Sequence, residues 1–146
     1  MAIASDFILM AESAQIGLPE VSIANFLGGG ITWLLPRMVG MAKARELVFF
    51  GERINGAEAV RIGLANRVFP DAQFLDEARA FAQKLAKKPP FSMELAKRQL
   101  TFAAEGTLDA ALSAELEGMT FVGTTKDWQE GVDAFAEKRE PVFTGK

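Results

Sequence analysis

Apolar positions follow two regimes along this chain. Up to Phe69 they come in short runs cut by glycine and proline, and beyond Asp71 they recur every three or four residues. Short runs predict strands and brief helices, whereas the later spacing predicts amphipathic helices. Residues 7–11 (Phe-Ile-Leu-Met-Ala) are long enough for a buried strand and too short for an independent helix. Residues 14–16 make a second extended piece, stopped by Gly17 and by Pro19, whose fixed φ and missing N–H break regular structure.

After a triple glycine, Gly28 to Gly30, residues 32–38 and 42–50 read as two helices in series, interrupted by Gly40 and ended by Gly51. Asn55-Gly-Ala-Glu58 has the form of a capping box. Asn55 would accept from a first-turn N–H and Glu58 would reach back, starting a short helix that runs to about Ile62. Gly63 stops it, and residues 65–69 read as a strand.

The later helical half begins at Asp71, with Phe74, Leu75, Ala78, Phe81, Ala82 and Leu85 in one apolar stripe. Pro90, after Pro89, suits a first helical position, Thr107 an N-cap, and a last helix starts near Thr125 and stops before Pro141. The tail 141–146 is expected to be irregular. Two or three isolated short strands lack partners for their edges and faces, so a stable sheet would need strands from elsewhere. The expected fold class is α/β, with short strands near the N-terminus and a mostly helical C-terminal region. The expected division is a site-bearing part, 1–70, and a helical part, 71–146.

Composition then narrows the chemistry. The chain has 146 residues, enough for one ordinary domain. It has neither cysteine nor histidine, which excludes disulfides, thiol catalysis, thiolate metal sites and serine-histidine hydrolysis by this chain alone. Tyrosine is absent too, leaving Asp, Glu, Lys and backbone groups as actors; no metal site is expected. A net charge of −3 without a basic block gives no reason to expect a nucleic-acid partner. No leader pattern and no long apolar run is present, so neither a signal peptide nor a membrane partner is expected, and the lack of cysteine makes a cytoplasmic location the simpler reading.

Among the acids, Glu20 stands out. It follows the break at Pro19, lies among Leu18, Val21 and Ile23, and precedes Gly28 by eight positions. Partial burial there would suit it to proton transfer. The plain alternative is a surface or capping carboxylate, as most glutamates are. Three glycines more often mark a turn than a ligand cradle, and without a following Lys-Ser/Thr they are no phosphate loop. Trp33, Leu34 and Leu35 would ordinarily be core, and Lys138-Arg139 a solvated helix end.

The ordered series is more specific than its parts. It runs Gly17-Leu-Pro-Glu20, Gly28-Gly-Gly, Leu35-Pro-Arg-x-Val-Gly40, Ala44-Arg-Glu-Leu, Gly51-Glu-Arg-Ile-x-Gly-Ala-Glu-Ala and Gly63-Leu-Ala-Asn-Arg-Val. It closes with Asp127-x-x-Glu-Gly131-Val-x-Ala-Phe135-x-Glu-Lys138-Arg-x-Pro141-Val-Phe-x-Gly145. This series resembles the enoyl-CoA hydratase/isomerase (crotonase) family from about Ser5 to the C-terminus. The resemblance implies a partial crotonase-like fold. It also implies a catalytic acid/base at Glu20, a glycine beside the reacting acyl group at Gly28, and contacts to the coenzyme A nucleotide from Phe135 and Lys138.

By the same resemblance the partner is an acyl-CoA substrate, with no cofactor beyond the thioester itself, and the chain forms a homo-oligomer active in fatty acid metabolism. The chain looks like the C-terminal part of such an enzyme. A strand-rich half, with both oxyanion-hole N–H groups and a second catalytic glutamate, would precede Met1. Weak or absent activity of the isolated chain is therefore expected, and a non-catalytic oligomerisation module is the alternative. Two departures bear on the reaction. Ala24 and Leu27 replace the usual glycine and proline of Gly-x-x-Pro-Gly, and Thr32-Trp-Leu-Leu35 replaces Thr-Gln-Arg-Leu, leaving hydration and isomerisation both open.

Overall fold

In the computed structural model, which describes residues 2–146, the first strand β1 (Leu9–Ala11) pairs in parallel with β4 (Arg67–Phe69). The register matches Leu9 with Arg67, Met10 with Val68 and Ala11 with Phe69. Asn66 fastens the start of the pair: its Oδ1 accepts from the Ile8 N–H at 2.8 Å while its own N–H donates to the Ile8 carbonyl at 2.8 Å. A second pair, β2 (Gln15–Ile16) with β3 (Ile54–Asn55), is antiparallel. Sequence pattern misses β3, because two residues cannot show an alternation. Only these two-stranded pairs form among the described residues, consistent with strands too few to make a larger sheet.

Between the pairs lie α1 (Ile31–Val39), α2 (Met41–Phe50) and α3 (Gly56–Arg61). Asn55 caps α3 by accepting the Glu58 N–H at 2.9 Å, as the capping box predicts. The reciprocal half of the box is not made. Instead Glu58 takes a two-pronged bond from Arg61, at 2.6 and 2.7 Å, and lies 3.5 Å from the Lys43 ammonium. Hydrogen bonds from Arg61, followed by those from Lys43, hold the Glu58 carboxyl below its usual range. A charged partner attracts the carboxylate more strongly than a neutral N–H does.

The core of this region gathers Ile8 and Met10 from the β1 segment, Leu35 from α1, Ala44 and Leu47 from α2, Ala59 from α3, and Leu64 and Ala65 after it. Leu35 is 1% exposed, as expected of its run, but Trp33 is 38% exposed. Its ring lies instead under the Arg37 guanidinium, 3.7 Å away, whose Nη1 donates to the Trp33 carbonyl. A helix turns successive residues through about 100°, so three apolar neighbours cannot all face one core.

The chain divides into two compact units, one reaching to Ala80 and the other from Phe81 to Lys146. Helix α4 (Phe74–Ala86) crosses that division, and none of its stripe is fully buried. The second unit holds α5 (Pro90–Ala103), α6 (Leu108–Val122) and α7 (Lys126–Glu137). Pro90 opens α5; Thr107 and Thr125 cap α6 and α7 by accepting N–H groups at 3.2 Å. No helix among the described residues is long and apolar enough to cross a membrane.

The tail after α7 has no regular structure, as Pro141 predicts, yet it is tied down. Asp127, 4% exposed, accepts the Thr144 and Gly145 N–H groups at 2.7 and 2.9 Å, and the Lys126 N–H donates to the Lys146 carbonyl at 2.8 Å. The open N-terminal turn of α7 and the carboxylate beside it thus bind the tail's backbone.

Candidate active site

Glu20 sits where a loop tightens into a single 3₁₀ turn, Val21–Ile23. The Ser22 N–H donates to the Pro19 carbonyl at 3.0 Å, and the Glu20 carbonyl accepts from Ile23 at 3.2 Å and Asn25 at 2.9 Å. Ala24 closes the turn in the left-handed region, with φ 56°. This is the position where the family pattern has glycine. An L-residue there brings its Cβ against the following carbonyl at a cost of about 1–2 kcal/mol.

The Glu20 side chain is half-buried. Among the described residues, its Oε2 is the one buried side-chain polar atom without a hydrogen-bond partner. A buried carboxylate oxygen left so is costly and calls for an explanation. A surface or capping role accounts poorly for this atom, since Glu20 makes no side-chain cap bond to the turn it precedes.

Gly28 lies in the same unit, in the segment between the Glu20 turn and α1. A Cβ built there meets nothing within 4 Å, so its lack of a side chain answers to no neighbour in this chain. Gly29 and Gly30 have φ of 67° and 78°, and Gly30 caps α1 through its backbone alone. The triple glycine thus opens a helix, as its sequence suggests, and leaves free space at Gly28.

Phe135 and Lys138 lie in the second unit, on the last turn of α7. Phe135 is 87% exposed, and Lys138 is an exposed C-cap in the left-handed conformation (φ 56°) whose N–H donates to the Phe135 carbonyl at 3.3 Å. An aromatic ring and an ammonium are thereby offered together to solvent. Their neighbours in the motif serve the fold. Arg139 forks onto Glu130 at 2.6 and 2.9 Å and reaches Glu137 at 2.6 Å, so it is no free solvated cation, and Glu130 also accepts the Val142 N–H. These bonds hold the Glu130 carboxyl down at about 2.

The closest contacts to the Glu20 turn come from glycines, which carry no reactive group. Gly51 lies against its turn at Ser22 and Pro19, and Gly17 packs against Arg53 and the Glu52 carbonyl. The signal available in sequence is the glycine at 51 within Gly51-Glu-Arg-Ile. It reads there as a helix end, which it also is, with φ 64° and an N–H donating to the Leu47 carbonyl.

A family profile described as enoyl-CoA hydratase/isomerase matches residues 1–146. The chain is 36% identical over 146 residues to the 2,3-dehydroadipyl-CoA hydratase of Escherichia coli K12, covering 100% of itself and 57% of that protein. It is 34% identical over 146 residues to the 1,2-epoxyphenylacetyl-CoA isomerase of the same organism, covering 56% of it. The crystal structure of an enoyl-CoA hydratase from Bacillus anthracis superposes with a TM-score of 0.94 at 38% identity, over 99% of this chain and 56% of that one. The chain spans about half the length of the curated relatives it matches.

Proposed function

The chain belongs to the enoyl-CoA hydratase/isomerase family, and on that premise we propose that it acts on acyl-CoA thioesters, with Glu20 as the proton-moving group. The observation that carries the reading is the buried, unpartnered Oε2 of Glu20. In hydration, that carboxylate takes a proton from water as the water oxygen bonds to the β-carbon, and the Glu20 carboxyl then gives that proton to the α-carbon of the enolate, which restores the carboxylate and completes the addition of water. In double-bond isomerisation the same group carries a proton between carbons. Gly28 leaves room for the acyl chain, since no protein atom crowds it. Phe135 and Lys138, side by side at the end of α7, would contact the nucleotide of coenzyme A bound to this copy or to a neighbouring one, with the ammonium suited to phosphate.

The enolate needs preorganised donors, each worth about 3–4 kcal/mol in systems where one was removed. The Glu20 carboxylate is an acceptor and supplies none, so weak turnover is expected of these residues alone. The test is hydration of crotonyl-CoA at high protein concentration. Glu20→Gln should lower the rate by about 100-fold or more, the usual range for a lost general acid or base. Equal rates for the two proteins would remove Glu20 from the reaction. Coenzyme A binding, followed by calorimetry, should weaken in Lys138→Ala.

One observation favours a second reading, a non-catalytic assembly module. Leu108, Leu112, Leu116 and Met119 line one exposed face of α6. Contiguous exposed apolar residues mark interaction surfaces. Light scattering that shows a homo-oligomer, together with no binding of coenzyme A, would favour that reading.

A further inference from the structure

We infer that Gly51 and Ser22 are positioning residues for Glu20, holding the C-terminal end of α2 against the peptide that bears the carboxylate. The inference rests on the reading of Glu20 as the proton-moving group. A Cβ at Gly51 would come 2.6 Å from the Ser22 Oγ, 3.0 Å from the Pro19 Cα and 3.3 Å from the Leu18 carbonyl oxygen. Those contacts lie on both sides of Glu20 in the chain. The Ser22 hydroxyl in turn donates to the Phe50 carbonyl at 3.3 Å, satisfying one of the acceptors that the end of α2 leaves open.

The left-handed φ of Gly51 serves the helix cap, whereas the close approach serves the Glu20 turn, and the two demands are separable. Residue 63 also needs a left-handed glycine, with φ 79°, but a Cβ there meets only the Met38 carbonyl at 3.4 Å. The other side of the loop is seated in the same way. A Cβ at Gly17 would lie 2.9 Å from the Arg53 Cγ and 3.2 Å from the Glu52 carbonyl oxygen. Residues 17–22 therefore rest on residues 50–53, and α2 is itself anchored by buried Ala44 and Leu47.

This brace matters because Glu20 Oε2 has no partner of its own to fix it. The turn sets where the Glu20 Cα lies, so a displaced turn moves the root of the side chain with no hydrogen bond at Oε2 to hold the oxygen in place. Misplacement by about 1 Å can cost a reaction 100-fold.

The test uses the full chain with its glutamate carboxyl carbons labelled with carbon-13, and the Glu20 resonance is assigned by its loss in Glu20→Gln. The resonance should move in Gly51→Ala, move less in Ser22→Ala, and stay in place in Gly63→Ala, which carries the same backbone strain away from the turn. Crotonyl-CoA hydration should show kcat falling about tenfold in Gly51→Ala with KM little changed, the pattern of lost orientation. If Gly51→Ala does not fold, Ser22→Ala decides, since it removes an atom and adds none. An unmoved resonance in the folded variants, or an equal movement in Gly63→Ala, overturns the brace. A moved resonance alongside unchanged turnover in Glu20→Gln would keep the brace and defeat the catalytic reading.

Discussion

The two units of this chain are built on opposite terms. Up to Ala80, aliphatic side chains from both strand pairs and three helices share one buried cluster, and glycines let backbones touch. From Phe81 onward the buried residues are few, notably Ala134 and Asp127, while Leu100, Leu108, Leu116, Met119 and Phe135 are all well exposed. Caps, the Asp127 tail clamp and the Glu130–Arg139 pair do much of the work there. A reacting group needs a stiff mount, which close packing supplies. A surface that grips a nucleotide or another subunit needs apolar area left uncovered.

The contrast can be measured, because each unit has its own tryptophan, Trp33 in the first and Trp128 in the second. Leu35→Ala should have the largest effect, about 3 kcal/mol for a large-to-small change at a fully buried site. In urea titrations on Trp128→Phe and Trp33→Phe backgrounds, the loss should be read by Trp33 rather than Trp128; equal losses would mean that the units unfold as one. Asp127→Ala should come next, costing about 2 kcal/mol because it strands two tail N–H groups. Here Trp128 should report the change, and limited proteolysis should release the tail.

A smaller effect of opposite sign is expected at the Glu20 turn. Ala24→Gly should stabilise the first unit by up to about 1 kcal/mol, since glycine takes a left-handed φ without the Cβ conflict but has more freedom to lose on folding. No gain in the Trp33-reported midpoint would mean that the turn has relaxed its strain elsewhere. The smallest effect concerns pH. Glu130 is held at about 2 in the folded protein against an ordinary value of 4.5, so its pairing stabilises the fold above 4.5 and is lost as pH falls toward 2. Glu130→Gln should flatten that acid limb in Trp128-reported unfolding curves and leave the Trp33-reported limb alone.

Most elements were legible in the residue pattern because their causes are local. Thr107 and Thr125 cap the helices they precede, Pro90 opens α5, and Gly51 ends α2 in the left-handed turn that only glycine takes without strain. The site was legible only as an order of motifs, since Glu20 by itself looks like any exposed carboxylate. Sequence could not separate Arg139, held by two glutamates, from Lys138, left to solvent, nor show that Glu58 would choose Arg61 over the helix cap.

The sequence by itself determined where helices begin and stop, which residue types could do chemistry, and which family series they compose. Those follow from φ preferences, capping and the side-chain inventory, all properties of a residue and its near neighbours. Only the tertiary structure decided that Phe50 and Gly51 meet the Glu20 turn, at Ser22 and Pro19, across 28 or more residues, and that Oε2 lies buried without a partner. Burial and close approach depend on segments far apart in the chain, and no local pattern encodes which of them will meet.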